Sequence, residues 1–174
     1  AAYDAEGYWT SISARGYQVD NRSNYRRDGL PMHGETVIHL GNKRSLELLK
    51  GTSGMLAGTS APGGLVNFVV KRPITRLRSA TLEVNQHGGV GAAVDLSQRF
   101  GTDNAMGLRL NVTHERMRPA LRDAHGSKSL AALAADWRNS STTVDAEFEW
   151  SRQSQPSQPG FSLLGNTVPD AGSV

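Results

Sequence analysis

The chain has 174 residues, with 19 lysines and arginines against 16 aspartates and glutamates, five histidines and no cysteine. Its length allows one domain or two small ones with room for a core, and the missing cysteine excludes a disulfide framework, a thiolate metal site and a cysteine nucleophile. A net charge of +3, scattered and without a recurring aromatic-basic strip, does not describe a nucleic-acid surface. The basic excess sits in the first part, with nine basic against six acidic residues up to Pro73 and ten against ten beyond it. It fits either a solvated surface or a lining that attracts an anionic ligand. No window approaches the roughly 18 apolar residues of a membrane helix, which leaves open a membrane barrel, whose strands need only about 9 to 11 residues and one apolar face. The chain opens on Ala1 without a leader pattern and closes on Gly172-Ser173-Val174 in loop-like sequence, as an internal stretch of a longer protein would.

Residues 1 to 73 are irregular and rich in glycine. Short strands are expected at Ile12 to Gly16, Tyr25 to Arg27, Leu46 to Leu49 and Leu65 to Val70, with turns at Asp28-Gly29 and Pro62-Gly63-Gly64 and a helical turn over Ser53 to Ala57. Together they describe a small mixed α/β domain. Gly51, Gly54, Gly58, Gly63 and Gly64 with Pro62 form a loop in which the backbone can reach positive φ and pass close to a neighbour. Leu65 to Val70 reads as a strand buried on both faces, and Lys71-Arg72-Pro73 ends it, because proline cannot donate to a ladder.

From about Thr75 the pattern changes to period two. Leu82 and Val84 alternate with Glu83 and Asn85, then Val94 and Leu96 with Asp95 and Ser97. Leu108, Leu110 and Val112 alternate with Arg109, Asn111 and Thr113, and Val144, Ala146, Phe148 and Trp150 with Asp145, Glu147 and Glu149. A further strand, about Ser129 to Arg138, is blurred by Ala131, Ala132, Ala134 and Ala135, but Leu133 and Trp137 fall on one face and Asp136 on the other. Gly88 to Gly91, Thr102 to Ala105 and Asn139 to Thr142 are tight turns; Pro119 to Lys128 and the residues after Gln153 are long. Such a series makes an up-and-down meander. The tight turns at 102–105 and 139–142 fall on one rim and the long loops at 119–128 and after 153 on the other, and with Phe100, Trp137 and Trp150 near strand ends this is the asymmetry of an outer-membrane barrel with its aromatic girdle. A soluble antiparallel sandwich shares the alternation.

Several stretches occur together in order: Ser13-Ala14-Arg15-Gly16-Tyr17, Tyr25-Arg26-Arg27-Asp28-Gly29-Leu30-Pro31, Glu47-Leu48-Leu49-Lys50-Gly51, and Ala61-Pro62-Gly63-Gly64-Leu65-Val66-Asn67 with Lys71-Arg72-Pro73. In order and spacing they resemble the plug domain of TonB-dependent siderophore receptors, and Asp136-Trp137-Arg138 and Pro159-Gly160-Phe161 look like that family's first barrel strands. Thr52 and Ala57 depart from its usual proline and tyrosine. The resemblance implies an α+β plug, its later part at residues 1–73, followed by antiparallel transmembrane β-barrel strands at 74–174, five of the roughly 22 in plugged transporters. It also implies an outer-membrane transporter, not an enzyme, that binds and imports a ferric siderophore. Its partners would be that chelate, membrane lipid and the TonB-ExbB-ExbD complex, the last engaged through a segment outside this chain. Iron would be held by the chelator, so no cofactor and no protein metal ligand are expected. Arg15 would lie in the pocket, where a permanently charged guanidinium suits hydroxamate, catecholate or carboxylate oxygens, with Met32 and His33 on a second apical loop; Asp28 is expected to accept hydrogen bonds in its turn or to pair with a plug arginine.

Other chemistry is not spelled out. Gly58-Thr59-Ser60-Ala61-Pro62 lacks the last glycine of a nucleophile elbow, the glycine-rich loop has no Gly-Lys-Ser/Thr ending, and the five histidines are far apart. Asp145, Glu147 and Glu149 share a strand face and read as the polar wall of a lumen. The alternatives are the same architecture importing cobalamin or a glycan, and, from a different class, a secreted all-β adhesion or binding module, which would spread polar residues over both strand faces.

Overall fold

The computed structural model describes residues 2–5, 9–14, 16–50, 63–119 and 125–156. They divide into two compact units, Ala1–Val70 and Lys71–Val174. Helical structure among them is limited to one 3-10 turn at Thr102–Asn104; the helical turn expected at 53–57 lies outside the described residues. The architecture is mostly antiparallel sheet.

In the first unit, β1 (Ala2–Ala5), β2 (Trp9–Ala14) and β3 (Tyr17–Gln18) form one antiparallel sheet. The strand expected over Ile12 to Gly16 begins earlier and ends at Ala14, because Gly16, at φ 83°, turns the chain into the next strand instead of continuing the first. A second sheet, in the order β5-β4-β7-β6, contains β4 (Tyr25–Arg27), β5 (Leu30–Pro31), β6 (Lys43–Leu49) and β7 (Leu65–Val70). β4 and β7 have the predicted bounds and pair in parallel, Tyr25 with Val66 and Arg27 with Phe68.

The core follows from that pairing. Val19, Tyr25, Val66 and Phe68 are buried as one cluster, with Ile12, Met32 and Ile38 packed against it. The Tyr25 and Phe68 rings stack with centroids 6.2 Å apart, a separation at which aromatic pairs add to simple burial. Burial pushes the Tyr25 phenol's pKa up. Nearby, the Ser23 hydroxyl hydrogen bond holds the Asp20 carboxyl below its ordinary value, with help from backbone N–H groups and Arg22 and against partial desolvation.

The second unit is a five-stranded meander in the order β12-β11-β10-β9-β8: β8 (Arg76–Val84), β9 (Val90–Phe100), β10 (Met106–Met117), β11 (Gly126–Arg138) and β12 (Thr143–Ser154). All neighbours are antiparallel. The first hairpin turn lies at 85–89, upstream of the expected Gly88 to Gly91. There Asn85 Oδ1 accepts the N–H groups of His87 and Gly89, an Asx turn that frees Gly91 to join β9. Asn139 caps the last hairpin similarly, accepting from the backbone of Ser141 and Thr142.

Candidate functional site: two faces of the strand wall and its anchored leader

Register sorts the wall into two faces. Across β9, β10, β11 and β12 one face carries rows such as Phe100, Met106, Trp137 and Val144, or Leu96, Leu110, Leu133 and Phe148. The opposite face carries Arg99, Gly107, Asp136 and Asp145, or Asp95, Asn111, Ala132 and Glu149. The apolar face is open: Leu82 is 81% and Phe148 66% exposed. A sandwich would cover this face with its second sheet, whereas a barrel leaves it to lipid.

The apolar stretch also runs obliquely. On β8 it covers Ala80, Leu82 and Val84, which lie in register with Val94, Ala92 and Val90 of β9, while Arg76 and Arg78 occupy the levels below. On β12 it covers Val144 to Trp150, level with Met106 to Val112 of β10. From β8 to β12 its middle slips by about five residues, roughly 17 Å along the strands against about 19 Å across four strand spacings. The resulting slope of roughly 40° lies within the strand tilt of outer-membrane barrels, about 35–45°.

The polar face holds a buried ionic cluster. Arg99 reaches across β10 to Asp136 on β11, with Nη2 donating to Oδ1 at 2.6 Å and Nη1 to Oδ2 at 3.0 Å. Its Nε donates to the Asn104 carbonyl at 2.9 Å and Nη1 also to that of Pro73 at 3.3 Å. The crossing is possible because Gly107 stands between them in the register. A Cβ there would lie 2.6 Å from Pro73 Cβ, 2.8 Å from Arg99 Nη1 and 2.9 Å from Asp136 Oδ1. One level on, Arg109 donates from Nε and Nη2 to the two oxygens of Asp95 at 2.9 and 2.8 Å, and from Nη1 to the Arg72 carbonyl at 2.9 Å. Lys71 Nζ is 3.0 Å from Asp95 Oδ2. Ser97 Oγ accepts from Ile74 N at 2.8 Å and lies 3.0 Å from the Ile74 carbonyl.

Lys71 to Ile74 is therefore fastened to β9 and β10 through its backbone carbonyls, one backbone N–H and the Lys71 side chain. This explains why the compact unit begins at Lys71, whereas the sequence reading drew its line after Pro73. Gly107→Val is expected to destabilise the full-length protein by about 1–3 kcal/mol, the usual cost of overpacking, as a lower urea midpoint in detergent micelles; an unchanged midpoint would mean that Pro73 and Arg99 are free to retreat.

Of the expected ligand contacts, Arg15 lies outside the described residues, as do Gly51, Gly58 and Pro62 of the expected glycine-rich loop. Met32 is half-buried against the Tyr25 and Phe68 cluster, and Met32 N donates to the Tyr25 carbonyl at 3.0 Å. His33 is exposed, and its Nδ1 accepts from Glu35 N at 3.3 Å. The Asp28-Gly29 turn has φ of 46° and 81°, the double left-handed backbone of a two-residue hairpin. Asp28 Oδ1 accepts from Val70 N at 2.9 Å, so this carboxylate ties the turn to the end of β7. Gly63 and Gly64 are close-approach positions: a Cβ on Gly63 would lie 2.6 Å from the Gln18 carbonyl oxygen, and one on Gly64, at φ 97°, would meet the Leu49 carbonyl. Arg99, Asp95, Arg109, Asp136 and Gly107 were not singled out as a site from sequence; alternation gives their face, but only register brings them together.

No protein-family model matches the chain. It is similar to the ferrichrome receptor FcuA of Yersinia enterocolitica, at 24% identity over 162 residues, covering 81% of this chain and 21% of that receptor. Among solved structures it is similar to the pyoverdine outer membrane receptor FpvA of Pseudomonas aeruginosa, bound to pyoverdine, with a TM-score of 0.75 at 17% identity over 87% of this chain and 23% of that one. It is also similar to BauA, the ferric preacinetobactin receptor of Acinetobacter baumannii, with a TM-score of 0.73 at 24% identity over 88% of this chain and 24% of that one. The chain spans about a fifth of the length of the curated relative it matches. Over more than four-fifths of its length the chain has the fold of part of these outer-membrane siderophore receptors, its two-faced strand wall included.

Proposed function

We propose that the protein containing this chain is an outer-membrane receptor that binds a ferric siderophore and imports it, residues 1–73 forming the later part of an α+β plug and residues 74–174 the first strands of the barrel. The observation that carries the reading is the oblique, exposed apolar face backed by a polar one; similarity to a ferrichrome receptor supplies the ligand class. The same observation disfavours a soluble module with polar residues on both faces. The role is transport, with the chelator holding the iron. Gating would be driven by the TonB-ExbB-ExbD complex, and the anchoring of Lys71 to Ile74 in the strand wall suits a plug that must stay tethered while it moves.

Arg15, Met32 and His33 remain the proposed ligand contacts, with Arg15 supplying the charge. In the full-length receptor, Arg15→Ala should weaken ferrichrome binding about tenfold or more, the worth of a charge-assisted hydrogen bond, read by fluorescence titration with insertion unchanged. An unaltered affinity would remove Arg15 from the pocket. Failure of ferric hydroxamates, catecholates and carboxylates alike to bind the unmodified receptor would contradict the siderophore reading.

A further inference from the structure

Asp28-Gly29 is the one place in the chain where glycine follows aspartate, and no asparagine precedes a glycine. Aspartate before glycine is the pair whose side chain closes most readily on the backbone, because the glycine N–H has no side chain beside it to shield it. Both residues are exposed, and a Cβ built on Gly29 would meet nothing within 4 Å. Asp28 is also held at φ 46°, a left-handed backbone that few residues other than glycine adopt. Solvent and space therefore leave this turn open to reaction.

The hydrogen bonds do the opposite. Gly29 N donates to Asn67 Oδ1 at 2.9 Å, and Asn67 Nδ2 donates to Glu47 Oε2 at 2.9 Å. A carboxylate only accepts, so Glu47 fixes which end of the Asn67 amide faces the turn. Asn67 reaches both sides because it lies on β7 between Arg26 of β4 and Glu47 of β6 in the register. Asp28 N donates to the Phe68 carbonyl at 3.1 Å, and Asp28 Oδ1 accepts from Val70 N at 2.9 Å. The two groups that would react with each other, the Gly29 nitrogen and the Asp28 carboxyl, are each engaged by β7 instead.

We propose that Asp28-Gly29 is a latent isoaspartate site, silenced by Asn67 and the Val70 N–H while β7 lies beside the turn and released when the two part. In the released turn Gly29 N gives up its proton and bonds to Asp28 Cγ, and a carboxyl oxygen leaves as water, closing a succinimide ring. Water then adds to the ring. Opening at the side-chain carbonyl restores aspartate, whereas opening at the backbone carbonyl routes the chain through Cβ and Cγ and leaves a free α-carboxylate. One water is lost and one is gained, so no oxidant, reductant or cofactor enters. The product adds a methylene to the backbone of a turn whose register pairs Arg26 with Pro31 and Arg27 with Leu30, and so unseats the hairpin just ahead of Met32. The site stands whether or not the chain belongs to a transporter.

The test incubates the full-length protein at neutral pH for weeks, folded in detergent micelles and unfolded in urea, and maps its peptides by electron-transfer fragmentation, which separates isoaspartate from aspartate. At Asp28 the folded protein should accumulate isoaspartate about tenfold or more slowly than the unfolded one, because the reaction draws only on the locally opened population. Asn67→Ala should raise the folded-state rate at Asp28 several-fold, with the circular-dichroism spectrum unchanged. Should that variant not fold, Glu47→Ala, which frees the Asn67 amide to turn, should raise the rate in the same direction. Equal rates at Asp28 in folded and unfolded protein, or a folded-state rate that the substitutions leave unchanged, would overturn the guarded site. So would isoaspartate that gathers at Asp20 or Asp103 ahead of Asp28 in the unfolded protein.

Discussion

Replacing either Arg99 or Asp136 by leucine in the full-length protein is expected to cost about 3–5 kcal/mol, because each change leaves its partner charged and buried. Both side chains are under a tenth exposed, and Arg99 also holds the Pro73 and Asn104 carbonyls. The double replacement should cost less than the sum, since two apolar residues leave no orphaned charge. Losing Asp136 alone would strand a guanidinium over Gly107, whereas losing Arg99 alone would strand the carboxylate and release the Pro73 carbonyl as well. Urea unfolding of the four proteins in detergent micelles measures the cycle. Single changes below about 1 kcal/mol that add without coupling would show the pair to be solvated, and the anchoring of Lys71 to Ile74 would then rest on Asp95 and Arg109.

The second large effect lies on the other face of the wall, on β10 between the strands that carry Arg99 and Asp136. Leu110→Arg places a charge near the middle of the apolar band, where outer-membrane barrels lose about 2–4 kcal/mol, falling to about 0–1 near the interface. His114→Arg, four residues on and outward on the same strand, should therefore cost under about 1 kcal/mol. Equal penalties at the two positions would mean that no depth gradient exists along β10 and that the exposed apolar face is covered by protein. Refolding into lipid vesicles followed by urea titration gives both values.

The wall was legible in the sequence because its period-two pattern is set by two solvents. Leu108, Leu110 and Val112 had to alternate with Arg109, Asn111 and Thr113 whatever the register. β4 and β7 were legible for another reason: Asp28-Gly29 dictates where one ends, and Gly64 and Lys71-Arg72-Pro73 bracket the other. The errors lie where side chains carry little preference. β9 begins at Val90 and runs through Gly91-Ala92-Ala93, β11 begins at Gly126, and β6 begins at Lys43 ahead of a register irregularity between Lys43 and Ser45. Alanines at 131, 132, 134 and 135 cannot mark a face, and only pairing places the first and last outward and the middle two inward.

The ionic cluster was illegible because it is built from separated pieces. Asp95, Arg99, Arg109 and Asp136 each looked like one more polar residue of an alternating strand. Their association depends on a three-strand register, on a glycine at one level, and on the return of residues 71–74 across that level. The plug contacts stand differently, since Met32 and His33 came from resemblance, and their neighbours in the fold, the Tyr25 core and Glu35 N, give each a structural contact alongside the proposed ligand role.

The central claim is that one face of this wall meets lipid while the other does not. Nitroxide labels at Leu110, Leu133 and Phe148, and at Thr113 and Glu147 on the opposite face, in the full-length protein reconstituted into bilayers, test it most directly. The first three should be relaxed strongly by oxygen and weakly by a water-soluble nickel chelate, with the contrast fading toward His114; the last two should not share that signature. Strong relaxation by the nickel chelate at Leu110, Leu133 and Phe148 would place the apolar face in water or against a soluble partner and contradict the barrel.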